Sequence, residues 1–339
     1  MKILIVKLSS LGDVVHAMPA VQDIRGALPQ AQIDWVVERS FAPLVRRCAG
    51  VNRVIACELR RWRESPLSRQ TRSDWRSFKI ELQSDHYDAV IDLQGLTKSA
   101  LISWLARLTP TGRRYGLANQ TEGSSYEAPT RWAADVALAV PPHSHAVTRS
   151  RVVCAQALHY EAPELWSFGL LAPAASAQTA ISNIASKSAN RNHVVALVHG
   201  TSRADKQWPM AHWIALGQRL NSHGYAVALA HGSEAEQQRS QEIASALANA
   251  VVLPRLALDA LADALASCAG VIGVDSGLSH IAAALDLPQV QIYNFDSAWR
   301  TGPLNAAHQC SVFARPTPSV DAVWQAWQMV CRAAAIESA

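Results

Sequence analysis

Lys2-Ile3-Leu4-Ile5-Val6-Lys7-Leu8-Ser9-Ser10-Leu11-Gly12-Asp13-Val14-Val15-His16 decides the fold class. It opens as a short apolar, β-branched run, passes through a small polar turn and ends in helical periodicity. Strand, turn and helix in that order begin a parallel α/β sheet, and ligands gather at such turns in open sheets. The turn is not a dinucleotide fingerprint, because Gly12 is its only glycine. It is not a P-loop either, since no Gly-Lys-Ser/Thr follows. A nicotinamide enzyme and a P-loop nucleotidase both lose their best support here.

Working outward, the same rhythm continues. Strand candidates at 2–7, 33–37, 53–56, 89–93 and 113–116 alternate with helical patterns at 14–27, 73–83 and 96–108. Residues 60–76 break the rhythm; they are Arg-rich, carry Trp62, Pro66 and Trp75, and read as a long surface excursion. An aperiodic Ala/Ser/Asn-rich stretch at 171–192 marks a boundary. Beyond it, strands at 194–198, 225–230, 250–253, 271–274 and 289–293 alternate with helices at 209–221, 235–247, 258–267 and 279–285. A last helix at 319–335 places Trp324 and Trp327 on one core-facing side, and their spacing does not say which core. The expectation is α/β: two doubly wound domains at 1–170 and 193–318, a linker at 171–192 and a closing helix at 319–339. A ligand is expected between the two domains.

Composition works by exclusion. The 339 residues are 49% hydrophobic and 17% charged, which rules out a disordered chain. A net charge of +4 is a mild bias toward anionic partners and too diffuse to mark a nucleic-acid binder. The six cysteines are scattered without a C-x-x-C, which suits a reducing cytosol. His143 and His145 have no nearby Cys or carboxylate, so no metal site is expected. The opening apolar run ends at Lys7, too short for a signal peptide. The longest stretch without Asp, Glu, Lys or Arg, 165–186, is too polar to span a bilayer.

Chemistry concentrates where strands end. Asp13 stands at a helix entrance, where it is either a plain cap or a carboxylate kept ionised by the helix. Thr201, Ser202 and Lys206 follow a strand and suit the oxygens of a phosphate, the alternative being a capped loop with a solvated lysine. Asp275-Ser276-Gly277-Leu278-Ser279-His280 joins a strand to an Ala-rich helix whose first N–H groups make an anion site, and His280 can add a donor. In His231-Gly232-Ser233-Glu234-Ala235-Glu236, one carboxylate can hold ribose hydroxyls or simply sit in a helix's first turn. Arg60, Arg61 and Arg63 suit an acidic acceptor or a solvated face, and Gln94 and Lys98 follow another strand end.

Residues 7–16, 92–100, 201–209 and 275–280 together resemble glycosyltransferase family 9, the ADP-heptose:lipopolysaccharide heptosyltransferases, over nearly the whole chain. The Ser-Ser-Leu-Gly-Asp-Val-Val-His form and the Arg60-Arg61-Trp62-Arg63 cluster resemble type I members more than type II. The resemblance implies a GT-B fold with the acceptor on the N-terminal domain, the nucleotide sugar on the C-terminal one, and a last helix crossing back to the first. It implies transfer of L-glycero-D-manno-heptose from ADP-heptose to the first Kdo of Kdo-lipid A, with inversion and release of ADP. No cofactor or metal is implied, and no Asp-x-Asp occurs in the chain.

By the same resemblance Asp13 is the general base, and Thr201, Ser202 and Lys206 contact the diphosphate. Glu236 holds the ribose, with Glu234 as the open alternative, and Leu256 lies at the adenine pocket. Asp275, Ser276, Gly277, Leu278 and His280 form the donor turn. Ser10, Gly12, Arg60, Arg61, Arg63, Gln94 and Lys98 serve the acceptor. Glu64 and residues 120–128 depart from the family pattern. The implied partner is Kdo-lipid A at the membrane surface, with no nucleic acid, for a cytoplasmic protein peripheral to the inner membrane. The rivals are a type II enzyme acting on a heptose acceptor and a nucleotide-responsive glycolipid-binding module without chemistry.

Overall fold

The computed structural model describes residues 1–171, 193–304 and 306–337. The chain divides into two compact units, Met1–Leu171 and Ala172–Ala339, close to the expected boundary. The expected linker, Leu171 apart, lies outside the described residues.

The first unit contains β1 (Lys2–Val6), α1 (Leu11–Ala27), β2 (Gln32–Glu38), α2 (Ala42–Val45), β3 (Val51–Cys57), α3 (Leu59–Glu64) and α4 (Arg69–Leu82). β4 (His86–Asp92), α5 (Thr97–Leu105), β5 (Arg107–Leu117), β6 (Val136–Leu138) and α6 (Ala146–Leu158) complete it. Its strands are parallel in the order β3-β2-β1-β4-β5-β6. Ile3 to Val6 are wholly buried because helices cover both faces of the sheet, as a parallel sheet requires.

The second unit repeats the plan with β7 (Val194–Val198), α7 (Met210–Ser222), β8 (Ala226–Leu229), α8 (Glu234–Ser245), β9 (Ala250–Val252) and α9 (Leu258–Ala266). β10 (Gly270–Val274), α10 (Gly277–Ala284), β11 (Gln289–Tyr293), α11 (Ala298–Thr301), β12 (Gln309–Phe313) and α12 (Val320–Glu337) follow. The order is β12-β11-β10-β7-β8-β9, which is the first sheet's winding again. Each sheet reverses its direction of growth once, between β1 and β4 and between β7 and β10. At such a reversal the two following loops diverge and leave a crevice at the strands' carboxyl ends.

One expectation needs correction. Residues 60–76 lie at the surface but do not break the rhythm: apart from the turn at 65–68 they lie in α3 and α4, pinned by Trp62, which packs on Trp75 and Phe78 with ring centroids 5.5 Å away in each case. The aromatic residues that interrupt the arginine run are what anchor this segment to the core. The last helix packs within its own unit. α12 packs on β11, β12 and α7 of its own unit, and Trp324 and Trp327 join Trp208, Trp213 and Val290 in that unit's core.

Trp327 is 1% exposed, and a Cβ on Gly270 would lie 2.6 Å from its ring. Trp327→Ala is therefore expected to destabilise the second unit by about 3–5 kcal/mol. An unchanged denaturation midpoint would show the indole is not a core element.

Candidate active site

In the first unit the switch-point loops follow β1 and β4. Ser10, not Asp13, is the N-cap of α1, and Asp13 is the third helical residue. Asp13 Oδ2 accepts the Ser10 backbone N–H at 3.0 Å and its hydroxyl at 2.7 Å. Asp13 Oδ1 faces Arg149 Nη2 at 3.8 Å. Its side chain remains 36% exposed, so a substrate can reach it. Desolvation opposes its charge, but Lys7, Arg149 and the two Ser10 bonds outweigh that and hold the carboxyl well below the usual carboxylate range.

Beneath it, Lys7 is 1% exposed and donates to the Leu93 carbonyl at 3.1 Å. Burial pushes Lys7 down to about 8 even though Asp13 and Asp92 pull it the other way. Burial likewise pushes Asp92 up to about 6, against the Gln94 and Gly95 N–H groups and the Ser99 hydroxyl that bind it. Gln94 Oε1 accepts the N–H groups of Leu8 and Ser9 at 3.1 and 3.2 Å, and Lys98 Nζ reaches Ser9 Oγ at 3.3 Å. These two side chains tie the β4 loop to the β1 loop, a bracing role that their spacing alone did not indicate.

In the second unit the loops after β7 and β10 meet at Asp275. Its carboxylate receives Lys206 Nζ at 2.5 Å, His280 Nε2 at 3.2 Å and the Thr301 hydroxyl at 3.4 Å. It is 4% exposed, and although burial disfavours its charge, His280 and Lys206 hold it well below the ordinary value. Thr201 Oγ1 lies 3.5 Å from the Asp275 carbonyl, and Ser276 is the N-cap of α10, which begins at Gly277 and Leu278. Ser202 is exposed on the same loop. An ammonium, a hydroxyl pair and a helix N-terminus thus stand on two adjoining loops, residue types that suit an anion.

The neighbouring β8 loop separates its two acids. Glu236 Oε2 accepts the Gly232 N–H at 2.7 Å, and a Cβ on Gly200 would lie 2.6 Å from Glu236 Oε1. Glu236 therefore sits against the β7 loop, and a side chain at position 200 would push its carboxylate aside. Glu234 lines a separate cavity of about 470 Å³ with His231, Gln237, Leu253, Pro254 and Arg255. Leu256 follows that lining, half-buried. His199, at the end of β7, is pushed down to about 4 by burial and bonded to Ser240 Oγ at 2.7 Å, so it is a neutral structural histidine.

The family model for glycosyltransferase family 9 (heptosyltransferase) matches residues 75–324. The chain belongs to glycosyltransferase family 9. Lipopolysaccharide heptosyltransferase 1 of Pseudomonas aeruginosa is 38% identical over 309 residues, 89% of this chain and 81% of that protein. The structure of Escherichia coli heptosyltransferase WaaC with ADP superposes with a TM-score of 0.84 at 33% identity, covering 97% of this chain and all of that one. Escherichia coli heptosyltransferase II, 23% identical with a TM-score of 0.78, shares the fold. The fold is GT-B, two Rossmann-like units in one chain, and the chain is a glycosyltransferase of the heptosyltransferase family.

Within this family-9 enzyme the arginine cluster divides. Arg60 and Arg63 are exposed on α3, while Arg61 is occupied by Glu58 and Asp74. Arg61 thus braces α3 against α4. Arg149 was missed altogether: it lies on α6, 136 positions (149 − 13) from the carboxylate it faces, and no local pattern points to it. Thr121 Oγ1 accepts from its Nη1 at 3.0 Å and holds the guanidinium in place. Among the described residues no group of His, Cys, Asp and Glu is arranged to hold a metal ion, and no helix is long and apolar enough to cross a membrane.

Proposed function

We propose that this enzyme transfers L-glycero-D-manno-heptose from ADP-heptose to the first Kdo of Kdo-lipid A, with inversion, without a metal, at the cytoplasmic surface of the inner membrane. The observation that carries the reading is Asp275, whose carboxylate gathers one lysine and one histidine beside the N-terminus of α10. That constellation suits a diphosphate leaving group, because Lys206 and the α10 N–H groups can take up its growing charge. Glu236, Glu234 and the adjoining cavity supply the ribose and base ends of the same nucleotide. In the first unit Asp13 is ionised, reachable and oriented, the requirement for accepting an acceptor hydroxyl's proton in a single displacement.

Purified protein given ADP-heptose and Kdo-lipid A should yield heptosylated lipid and free ADP, and a chelator should leave the rate unchanged. No product would overturn the reading. Product only with a heptose-terminated acceptor would assign the chain to the type II reaction.

Two consequences concern the acceptor side. Arg60→Ala with Arg63→Ala is expected to raise the acceptor KM about 3- to 10-fold, each exposed charge contact being worth roughly 0.2–1 kcal/mol. ADP affinity stays unchanged, and the effect shrinks with added salt over a screening length of about 8–10 Å. Equal damage to ADP binding would remove these arginines from the acceptor site. The second consequence concerns Arg149→Met, which takes a cation from beside Asp13. The carboxyl then rises toward its ordinary value, and the acid limb of the kcat/KM profile moves to higher pH. An unmoved limb would mean that Arg149 does not act on Asp13.

A further inference from the structure

One side of the first unit takes no part in the site described above. α4 buries Thr71, Phe78 and Leu82 and half-buries Trp75, a helical stripe in steps of four, three and four. Arg69, Arg72, Arg76 and Lys79, in steps of three, four and three, form a second stripe that is exposed throughout. At about 100° per residue the helix's acids, Asp74 and Glu81, fall on a different flank. Asp74 is also already paired with Arg61.

Apolar side chains stand out among these cations. Ile80 is 66% exposed, and Leu67, just before the helix, is 84% exposed. α5 covers the same side of the sheet, because Phe78 and Leu82 share one core cluster with Ile102 and Ala106. Gln83 at the end of α4 also donates to the Leu105 carbonyl at 2.8 Å. α5 turns Leu101 and Trp104 outward, 46% and 63% exposed. Trp132, in the turn Ala128–Ala133 packed on α5, is 78% exposed.

We propose that this α4–α5 face docks on the surface of an anionic phospholipid bilayer. The arginines and Lys79 meet lipid phosphates, while Trp104, Trp132, Leu101 and Ile80 enter the headgroup layer. Indoles and aliphatic side chains bordering a one-sided basic stripe are the composition of an interfacial surface. A nucleic-acid groove would use the cations and rings, but it has no place for Leu67, Ile80 and Leu101. The proposal deepens the functional reading and rests on its lipid-borne acceptor, which gives the enzyme a reason to sit at a membrane.

The test is flotation of the full chain with vesicles of phosphatidylglycerol and phosphatidylethanolamine that contain no sugar acceptor. The protein should float with them, lose binding at high salt, and not float with phosphatidylcholine alone. Each cation near such a surface is worth about fivefold in partitioning. R69Q/R72Q/R76Q/K79Q should therefore lose roughly 10²-fold or more. L101S/W104S/W132S should also bind less, with a weaker salt dependence. Both variants should keep the parent's melting midpoint and its kcat/KM on an acceptor lacking acyl chains. The single substitutions, at about fivefold each, keep the test open if the quadruple variant folds poorly. Equal flotation of parent and R69Q/R72Q/R76Q/K79Q overturns the proposal, as does equal binding to phosphatidylcholine. Retention by single-stranded RNA in place of vesicles also overturns it. Because neither donor nor acceptor is present, failure of heptose transfer is read separately.

Discussion

Asp13→Asn should bind ADP-heptose and turn over about 10²–10⁴-fold more slowly, the usual worth of general-base assistance. Inversion requires one in-line displacement, in which the acceptor hydroxyl attacks the anomeric carbon opposite the departing ADP. A carboxylate held far below its ordinary pKa by Lys7, Arg149 and Ser10 is a feeble base toward a resting hydroxyl. Bond formation to the anomeric carbon makes that hydroxyl acidic, so the proton moves late, when Asp13 suffices. Oδ2 is already engaged by Ser10, leaving Oδ1, on the Arg149 side, as the oxygen with room for the proton.

The substitution keeps an oxygen for the Ser10 N–H, so the α1 capping survives and the melting midpoint should move little. Ser10→Ala is the matching control. It removes one hydrogen bond to the carboxylate without removing the base, and should cost at most about tenfold. A folded Asp13→Asn that turns over within threefold of the parent would reduce Asp13 to a member of a capping box.

Lys206→Ala should lower kcat/KM for the donor about 10- to 100-fold, since a charge-assisted contact is worth roughly 1.5–3 kcal/mol. The geometry adds a stability cost that the loop's sequence did not suggest. Lys206 Nζ lies 2.5 Å from Asp275 Oδ2, with 14% and 5% of the two side chains exposed. Removing the ammonium leaves a buried carboxylate with only His280 and Thr301 of its three side-chain partners, at a cost of up to about 3 kcal/mol.

Lys206→Ala with Asp275→Asn separates the two effects. The double variant should recover much of the melting midpoint and none of the donor use. Recovery of both would make the pair structural. The sign of the pH effect follows from the depressed Asp275. Its stabilisation is complete above the ordinary carboxylate value of 3.8 and is lost as pH falls below it toward the folded value. In Lys206→Ala that acid-side loss should be smaller, because less stabilisation remains to be titrated away.

Much of the architecture was legible because parallel strands buried on both faces tend to be continuous apolar runs, and residues 3–6, 194–198 and 270–274 are, while β11 alternates Val290 and Ile292 with Gln289 and Gln291. Short or half-exposed edge strands carry no such mark, so β6 and β12 went unread. Loop chemistry after β1, β4, β7 and β10 was legible for a related reason. A turn that feeds a helix leaves its first N–H groups unsatisfied, and small, polar or acidic residues are favoured there.

By itself, then, the sequence determined two doubly wound units and set the proposed site residues at their strand ends. It also determined the residue types that suit a diphosphate and a proton. Tertiary structure alone decided what each of those residues touches. Arg149 meets Asp13, Asp275 gathers Lys206 and His280, and Gln94 and Lys98 brace the β1 loop. Arg61 turns to Glu58 and Asp74, and α12 folds onto its own sheet. Periodicity records which face of an element is buried, a property of neighbours within a few residues. Ion pairs and helix docking join positions scores of residues apart, and they are chosen by where the closed sheet leaves charge unmatched and apolar area uncovered.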